Sequence, residues 1–260
     1  MIVDTHCHLD LITQDEQELN SILIQCKNNK VNLLINVSVD RASNFNNEKM
    51  AENHEEIYFS VGLHPHEVDR YSAQDVDDIE KICLHKKCVA IGEVGIDLFH
   101  EKEKKNEQIA LFERFLYMAR KYQKPIIIHS RNAFQEVFEI IRKPEFNGIS
   151  GVFHCFSYGW DEALKCIDLG YKISFAGNLT YKNSRTIQDT AKRISVQEVF
   201  LETDAPFLAP VPFRGKKNFP YYINHLALFL SQLRNEDPEI LCARLYQNVT
   251  SFFRLYGNKE

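Results

Sequence analysis

Short apolar runs rich in β-branched residues recur along the chain, and segments with helical periodicity lie between them. Eight such runs can be distinguished, at residues 1–4, 31–37, 57–61, 89–91, 125–128, 151–153, 172–175 and 199–201. The runs are continuously apolar and do not alternate between apolar and polar positions, which is typical of parallel strands covered on both faces. The pattern therefore predicts an α/β protein with a parallel sheet.

The intervening segments favour a closed barrel over an open sheet. Residues 107–122 and 134–141 place apolar side chains three and four positions apart, as on one face of a helix. A last segment of this kind, residues 238–255, follows the eighth strand. Eight strand–helix units in 260 residues match a (β/α)8 TIM barrel. We predict such a barrel with an additional C-terminal helix, and a single domain over 1–260 because no linker divides the chain.

Polar residues follow almost every apolar run at its C-terminal end. The histidines in these positions are His6, His8, His64, His66, His129 and His154. Glu93 follows the fourth run, and Glu202 and Asp204 follow the eighth. The C-terminal ends of the strands form one face of a TIM barrel, and active sites lie on that face. We therefore predict that these side chains, which are far apart in sequence, converge on one site.

Strand alternation predicts which side chains point inward around the first strand. Residues two apart face the same side, so His6 and His8 can both point toward the barrel axis while Cys7 points outward. The same argument separates His154 from Cys155. We predict that neither cysteine is a ligand and that the H-x-H pair binds metal.

The number of candidate ligands indicates two metal ions. Four histidines with Glu93 and Asp204 are too many for one tetrahedral ion that keeps an open position. They suit two ions about 3.5–4 Å apart that share a bridging carboxylate and activate a water molecule. Imidazole ligands favour Zn, Mn or Fe over Mg, which prefers oxygen. Glu202 is expected on the same face as Asp204, where it can orient a ligating histidine.

Composition narrows the setting in which such a site would work. The first residues show no basic segment before an apolar core, and no apolar run approaches ~18 residues, so we expect a cytoplasmic protein without a membrane segment. The seven cysteines include no C-x-x-C pair, which argues against a disulfide framework or a redox pair. A net charge of -5 argues against coating of nucleic acid by bulk electrostatics, but an enzyme could still bind one phosphate at a metal.

Seven motifs, in order between residues 4 and 220, resemble the TatD family of metal-dependent hydrolases. They read D-T-H-C-H-L-D, G-L-H-P-H, I-G-E-V-G-I-D, I-I-I-H-S-R, H-C-F-S, E-T-D-A-P-F-L-A-P and P-F-R-G-K-K-N-F-P. The resemblance implies an amidohydrolase-like TIM barrel and a metal-dependent deoxyribonuclease, in particular a 3′–5′ exonuclease on single-stranded DNA or 3′ ends. We expect two divalent metal ions (Mg, Mn or Zn), and no obligate protein partner is evident.

The resemblance also implies a role for each matching position. The implied metal ligands are His6, His8, Glu93, His129, His154 and Asp204. The first two histidines would hold one ion and the last two histidines the other, and Glu93 would bridge the two ions. Asp204 would bind the first ion and take the proton of the attacking water. Glu93 and Asp204 are therefore the expected catalytic residues.

Three further residues are candidates for substrate binding. His64 could contact substrate, brace a ligand or only shape the loop before Pro65. Arg131, two residues after His129, could pair with a phosphate or form a salt bridge at the barrel rim. Arg214 lies in a basic loop that could receive a nucleic-acid backbone, although a solvated loop has the same composition.

Two departures from the family pattern bear on the substrate. Tyr158 stands after H-C-F-S, where glycine is common, and Leu98 and Phe99 follow Asp97, where an aromatic pair is common. The same metal pair could hydrolyse an ester or amide, for example in an aminoacyl-tRNA deacylase. A non-catalytic metal-binding or interaction protein is a third possibility from another class.

Overall fold

The computed structural model describes residues 1–255, so residues 256–260 of the predicted domain lie outside the described part. Eight parallel strands form one sheet whose order follows the chain from first to last. The strands are β1 (Ile2–Cys7), β2 (Val31–Asn36), β3 (Ile57–Val61), β4 (Cys88–Asp97), β5 (Ile126–Arg131), β6 (Gly151–Phe153), β7 (Lys172–Phe175) and β8 (Val199–Leu201). This arrangement confirms the predicted (β/α)8 barrel.

The barrel closes at the C-terminal ends of its first and last strands. Cys7 forms an isolated parallel bridge with Ala205. The His8 N–H donates to the Ala205 carbonyl at 2.8 Å, and the Asp204 N–H donates to the His6 carbonyl at 2.8 Å. The hydrogen bonds that close the barrel between β1 and β8 therefore also fix the backbone positions of His6, His8 and Asp204.

Within residues 1–255, ten α-helices connect and follow the strands. They are α1 (Leu9–Ile12), α2 (Glu16–Asn28), α3 (Arg41–Asn53), α4 (Ala73–Ile82), α5 (Lys105–Tyr122), α6 (Phe134–Ile141), α7 (Trp160–Asp168), α8 (Arg185–Arg193), α9 (Ile223–Arg234) and α10 (Pro238–Phe253). α6 has the predicted bounds, and α5 and α10 differ from theirs by two residues at one end. Of the helices within residues 1–255, none is both long enough and apolar enough to cross a bilayer.

The last helix covers the end of the barrel opposite the polar strand ends. Val249 and Phe253 of α10 belong to one apolar cluster with Val3 of β1 and Phe200 of β8. The Phe200 and Phe253 rings lie 5.7 Å apart between centroids. α10 therefore covers one end of the barrel. The other end, formed by the C-terminal ends of the strands, is open.

The fourth strand is longer than its apolar run predicts. The run at 89–91 is followed by Gly92 and polar residues, which normally mark a strand end. β4 nevertheless continues to Asp97, pairing Gly95 with His129 and Asp97 with Arg131 of β5. Glu93 therefore lies within a strand, at the register shift between Ile91 and Val94, and its N–H donates to the Ser38 carbonyl at 2.8 Å.

Candidate metal centre

A cavity of about 730 Å³ opens at the C-terminal face of the barrel. Its wall includes five of the six predicted metal ligands, namely His8, Glu93, His129, His154 and Asp204. The sixth, His6, is completely buried behind this wall. The structure thus brings together side chains from β1, β4, β5 and the segments after β6 and β8.

Four candidate ligand atoms lie close together, and one of them is Oε2 of Glu93. His6 Nε2 lies 3.3 Å from Glu93 Oε2 and 3.2 Å from His8 Nε2. His8 Nε2 lies 3.4 Å from Asp204 Oδ1, and the remaining distances that join the two histidines to the two carboxylates are 3.8 Å. Ligands at 2.0–2.1 Å around a tetrahedral ion are about 3.4 Å apart, so this group has the dimensions of one metal site.

A second group meets at the other oxygen of the same carboxylate. Glu93 Oε1 lies 2.7 Å from His129 Nδ1 and 2.8 Å from His154 Nε2. The two imidazole nitrogens lie 3.3 Å apart. Glu93 therefore presents one oxygen to each histidine pair, which is the arrangement that a bridging carboxylate requires.

The chemistry of these donor groups fits divalent transition-metal ions. Together they offer four imidazole nitrogens and two carboxylates, which suit Zn, Mn or Fe. The His8 Nδ1–H donates to the Val37 carbonyl at 2.9 Å, so Nε2 is the nitrogen that faces the other candidate ligands. Buried nitrogen and oxygen atoms this close together repel one another or share protons when no ion is bound. A metal ion at each group would give these atoms a partner.

Neighbouring groups of opposite charge shift the pKa values of Glu93 and His8. Burial raises the pKa of Glu93, but the neighbouring His154 and hydrogen bonds from His129 and His154 outweigh it and hold this pKa well below its usual range. Burial lowers the pKa of His8, but the hydrogen bond and charge of Asp204 raise it to about 9. A metal ion must therefore displace a proton from His8, so metal affinity falls as the pH falls.

The backbone around Asp204 is held in an uncommon conformation. Asp204 has φ +55°, in the left-handed region that aspartate tolerates better than most residues. The buried Asn218 side chain donates to the carbonyls of Thr203 and Phe207 at 2.8 and 2.6 Å, on either side of Asp204. Nothing in the sequence pattern indicates this role for Asn218, because hydrogen bonds to the backbone of another segment leave no periodic signal.

Asp97 is a second residue to which sequence reasoning gave no role. Its Oδ2 lies 3.5 Å from His129 Nε2, on the side of the ring that faces away from Glu93. A carboxylate in this position holds a ligating imidazole in orientation. Strand alternation supplies a signal, because Glu93 and Asp97 are four residues apart in β4 and so share a face.

Glu202 occupies the position expected of an orienting carboxylate. Its Oε1 accepts the Cys155 N–H at 2.6 Å and lies 3.3 Å from His154 Nδ1. Glu202→Gln preserves the shape and an acceptor oxygen but removes the charge that stabilises the imidazole. We expect metal affinity or activity to fall about 10–100-fold, as for other outer-shell partners of metal ligands. Zinc titration by calorimetry, with Glu198→Gln as the control, would measure it, and an unchanged affinity would contradict this role.

The two cysteines next to ligand candidates differ in position. The buried Cys7 Sγ lies 3.6 Å from the Ile35 carbonyl, away from the histidines beside it. Cys155 borders the cavity, contrary to the alternation argument, because β6 ends at Phe153 and Cys155 has φ +45°. Within residues 1–255, neither cysteine belongs to a group of three or more convergent metal-ligating side chains.

The predicted substrate residues are not all at the cavity. His64 lines it, with Nε2 3.6 Å from Glu93 Oε1. Arg131 lines it as well, and its guanidinium lies 4.4 Å from the centroid of the Phe99 ring. Arg214 instead stacks on Tyr181, 4.3 Å from that ring centroid, and does not belong to the cavity wall among the described residues.

Tyr158, which replaces the glycine of the family pattern, fastens a loop. Its hydroxyl donates to the Ser130 carbonyl at 3.0 Å, lies 2.9 Å from Ser130 Oγ and accepts the Ala133 N–H at 3.3 Å. The ring packs against Phe134 at the start of α6. The departure therefore ties the segment after β6 to the end of β5 and to the residues that follow it, next to Arg131.

Comparisons with known proteins find a matching family model and related proteins. The family model described as TatD related DNase matches residues 3–254. The chain is 32% identical over 255 residues to a Bacillus subtilis protein named uncharacterized metal-dependent hydrolase YabD, with 98% of this chain and 100% of the relative covered.

Solved structures show the same barrel. YjjV, a TatD homologue from Escherichia coli K12, superposes with a TM-score of 0.91 at 27% identity and covers 97% of this chain and 98% of its own. An uncharacterized amidohydrolase from Saccharomyces cerevisiae has a TM-score of 0.80 at 14% identity, with 97% of this chain and 100% of its own covered. At that identity the second match supports the amidohydrolase-like fold alone.

Proposed function

The chain belongs to the TatD family of metal-dependent hydrolases, and from this premise we propose that it is a deoxyribonuclease that removes nucleotides from 3′ ends of DNA. The observation that carries the proposal is the Glu93 carboxylate, which offers one oxygen to each of two histidine pairs at an open cavity. Two-metal sites of this kind serve the in-line displacement of phosphodiesters.

The proposed ligands divide into two sets that share Glu93. His6, His8 and Asp204 complete the first set, and His129 and His154 complete the second. When two divalent ions are bound, they lower the pKa of a coordinated water and offset charge on a phosphoryl oxygen. Zn or Mn suits the nitrogen-rich donor set better than Mg does.

Asp204 is placed to handle the proton of the attacking water. Its side chain lines the cavity and is 13% exposed, while Oδ1 lies 3.4 Å from His8 Nε2. A carboxylate that faces both the donor group and the open cavity can accept a proton and release it to solvent. The hydrogen bonds from Asn218 to the carbonyls of Thr203 and Phe207 hold the backbone that carries this carboxylate.

His64 is proposed to donate a hydrogen bond to the substrate. Its Nδ1 accepts the His66 N–H at 3.3 Å, so in the neutral ring the hydrogen is on Nε2, which lies 3.6 Å from Glu93 Oε1 in the wall of the cavity. Burial, and then the charge of His129, lower the pKa of His64 well below its usual value, which keeps the ring neutral. A protonated Nε2 suits a phosphate oxygen and does not suit a metal ion.

Arg131 is proposed to pair with a phosphate of the DNA strand. A hydrogen bond to a charged group contributes about 1.5 kcal/mol or more, so we expect Arg131→Gln to raise KM about 10-fold with kcat little changed. The slope of log KM against log salt should fall by about 1. Arg142→Gln, at the C-cap of α6 and outside the cavity wall, is the matched control, and equal kinetics for the two variants would contradict the role.

Arg214 has a weaker structural case, because its guanidinium is engaged with Tyr181. We retain it as a proposed contact for nucleic-acid backbone outside the cavity.

We also propose that residues 1–260 form one domain. One continuous sheet, with α10 packed on its first and last strands, extends through residues 1–255.

A comparison of substrates tests the proposed function. The metal-loaded protein is assayed on single-stranded DNA, aminoacyl-tRNA and a simple lactone, each with Mg, Mn and Zn added to chelator-treated protein. Rapid release of mononucleotides from DNA supports the proposal. If aminoacyl-tRNA or the lactone were hydrolysed while the DNA stayed intact, the substrate would instead be a carboxylic ester.

A further inference from the structure

Three metal-ligating side chains outside the two proposed sets meet in the same cavity. His66 Nε2 lies 3.0 Å and His100 Nδ1 lies 2.9 Å from one oxygen, Oδ2, of Asp97. The three ligand atoms lie within 4.8 Å of one another. The sequence pattern places His66 at a strand end and indicates no role for His100 or Asp97.

The carboxylate at the centre of this group is fixed in orientation. Asp97 is the last residue of β4 and is 1% exposed. Its Oδ1 accepts the backbone N–H groups of Phe99 and His100 at 2.8 and 2.9 Å. Both bonds hold Oδ1 inward, so Oδ2 is turned toward the two imidazoles and needs no rearrangement to act as a ligand.

The imidazoles are accessible, although the carboxylate between them is buried. The side chains of His66 and His100 are 35% and 44% exposed, and all three residues line the cavity. The His66 ring packs edge-on against His64, 4.3 Å between centroids, which limits its rotation. An ion bound to these three atoms would therefore keep at least one position open to the cavity.

We propose that His66, Asp97 and His100 form a third divalent metal site, separate from the two sets that share Glu93. Two imidazole nitrogens and one carboxylate oxygen suit Zn²⁺, Co²⁺ or a similar transition-metal ion, and offer too few oxygens for Mg²⁺ or Ca²⁺. Three protein ligands with an open fourth position leave room for water or for a phosphate oxygen of a bound strand.

The third site is joined to the second through one carboxylate. Asp97 Oδ2 also lies 3.5 Å from His129 Nε2, so the same oxygen faces His66, His100 and the outer nitrogen of His129. The competing explanation is that the two exposed histidines only donate hydrogen bonds to Asp97 and so help to orient His129. The two explanations differ in the number of ions that the protein binds.

Metal content measures that number directly. Chelator-treated wild type, His100→Asn and His66→Gln are reloaded with excess Zn²⁺, freed of unbound metal by gel filtration and analysed by plasma mass spectrometry. We expect each variant to hold one zinc equivalent fewer than the wild type. His100 is nearly half exposed, so His100→Asn should retain the wild-type circular dichroism spectrum.

His54→Asn is the matched control, because His54 also contacts a single carboxylate, Glu16 Oε1 at 3.0 Å, but lies outside the cavity. Its zinc content should equal that of the wild type. Equal zinc content in the wild type and His100→Asn would overturn the third site. Because the readout is bound metal, this result is independent of whether the protein hydrolyses DNA.

Discussion

Glu93→Gln is expected to abolish hydrolysis and to lower the metal content of the protein. The substitution keeps the shape of the side chain, but it replaces one of the two oxygens that face the histidine pairs with an NH2 group that cannot ligate. It also removes the negative charge that His6, His129 and His154 surround. Loss of a residue that only orients a metal ligand can lower activity about 100-fold, and we expect a larger fall for Glu93→Gln.

The measurement combines turnover with metal analysis on the same sample. Glu139→Gln, on the exposed face of α6, is the matched control and should keep both activity and metal. If Glu93→Gln retained wild-type turnover at saturating metal, the shared carboxylate would not be the centre of the site. Loss of turnover with full metal content would instead limit Glu93 to the chemical step.

Gly95→Ala is expected to prevent the barrel from forming correctly at β4 and β5. A Cβ at Gly95 would lie 2.0 Å from the His129 carbonyl oxygen, and φ is +147°, which side chains of L-residues rarely adopt. The clash involves backbone on both strands and cannot be relieved by a rotamer change. We expect a loss of more than about 4 kcal/mol in the free energy of unfolding, or no soluble protein.

Gly148→Ala separates the clash from the cost of a positive φ alone. Gly148 has φ +83°, but a Cβ there would have no atom within 4 Å. Its replacement should cost only about 1–2 kcal/mol, the penalty of the left-handed conformation. Urea unfolding of both variants measures the difference, and similar midpoints would show that the close approach of β4 to His129 can relax.

Much of the fold could be predicted from the sequence, because parallel strands in a barrel are continuously apolar. Four strands have the predicted bounds, and five of the six predicted metal ligands line one cavity because the strand ends share a face. The extent of β4 was not readable, since Gly92 and Gly95 resemble a turn in sequence. Their actual role, close approach to β5, is a property of the neighbouring strand.

The details of the site depended on features that periodicity does not describe. Alternation holds only inside a strand, so Cys155, after the end of β6, borders the cavity although the argument turned it away. Arg214 could be placed in a basic loop, but its stacking on Tyr181 depends on how the loop folds. His100 meets His66 only because Asp97 binds the backbone that follows it.

The most direct test of the central claim is the product pattern from a 5′-labelled single-stranded oligonucleotide. Chelator-treated protein is incubated with it before and after addition of Mn²⁺ or Zn²⁺, and the products are separated by length. We expect no cleavage without metal and, with metal, a ladder that shortens progressively from the 3′ end. An oligonucleotide that stays intact while the metal-loaded protein cleaves an ester or amide substrate would contradict the claim.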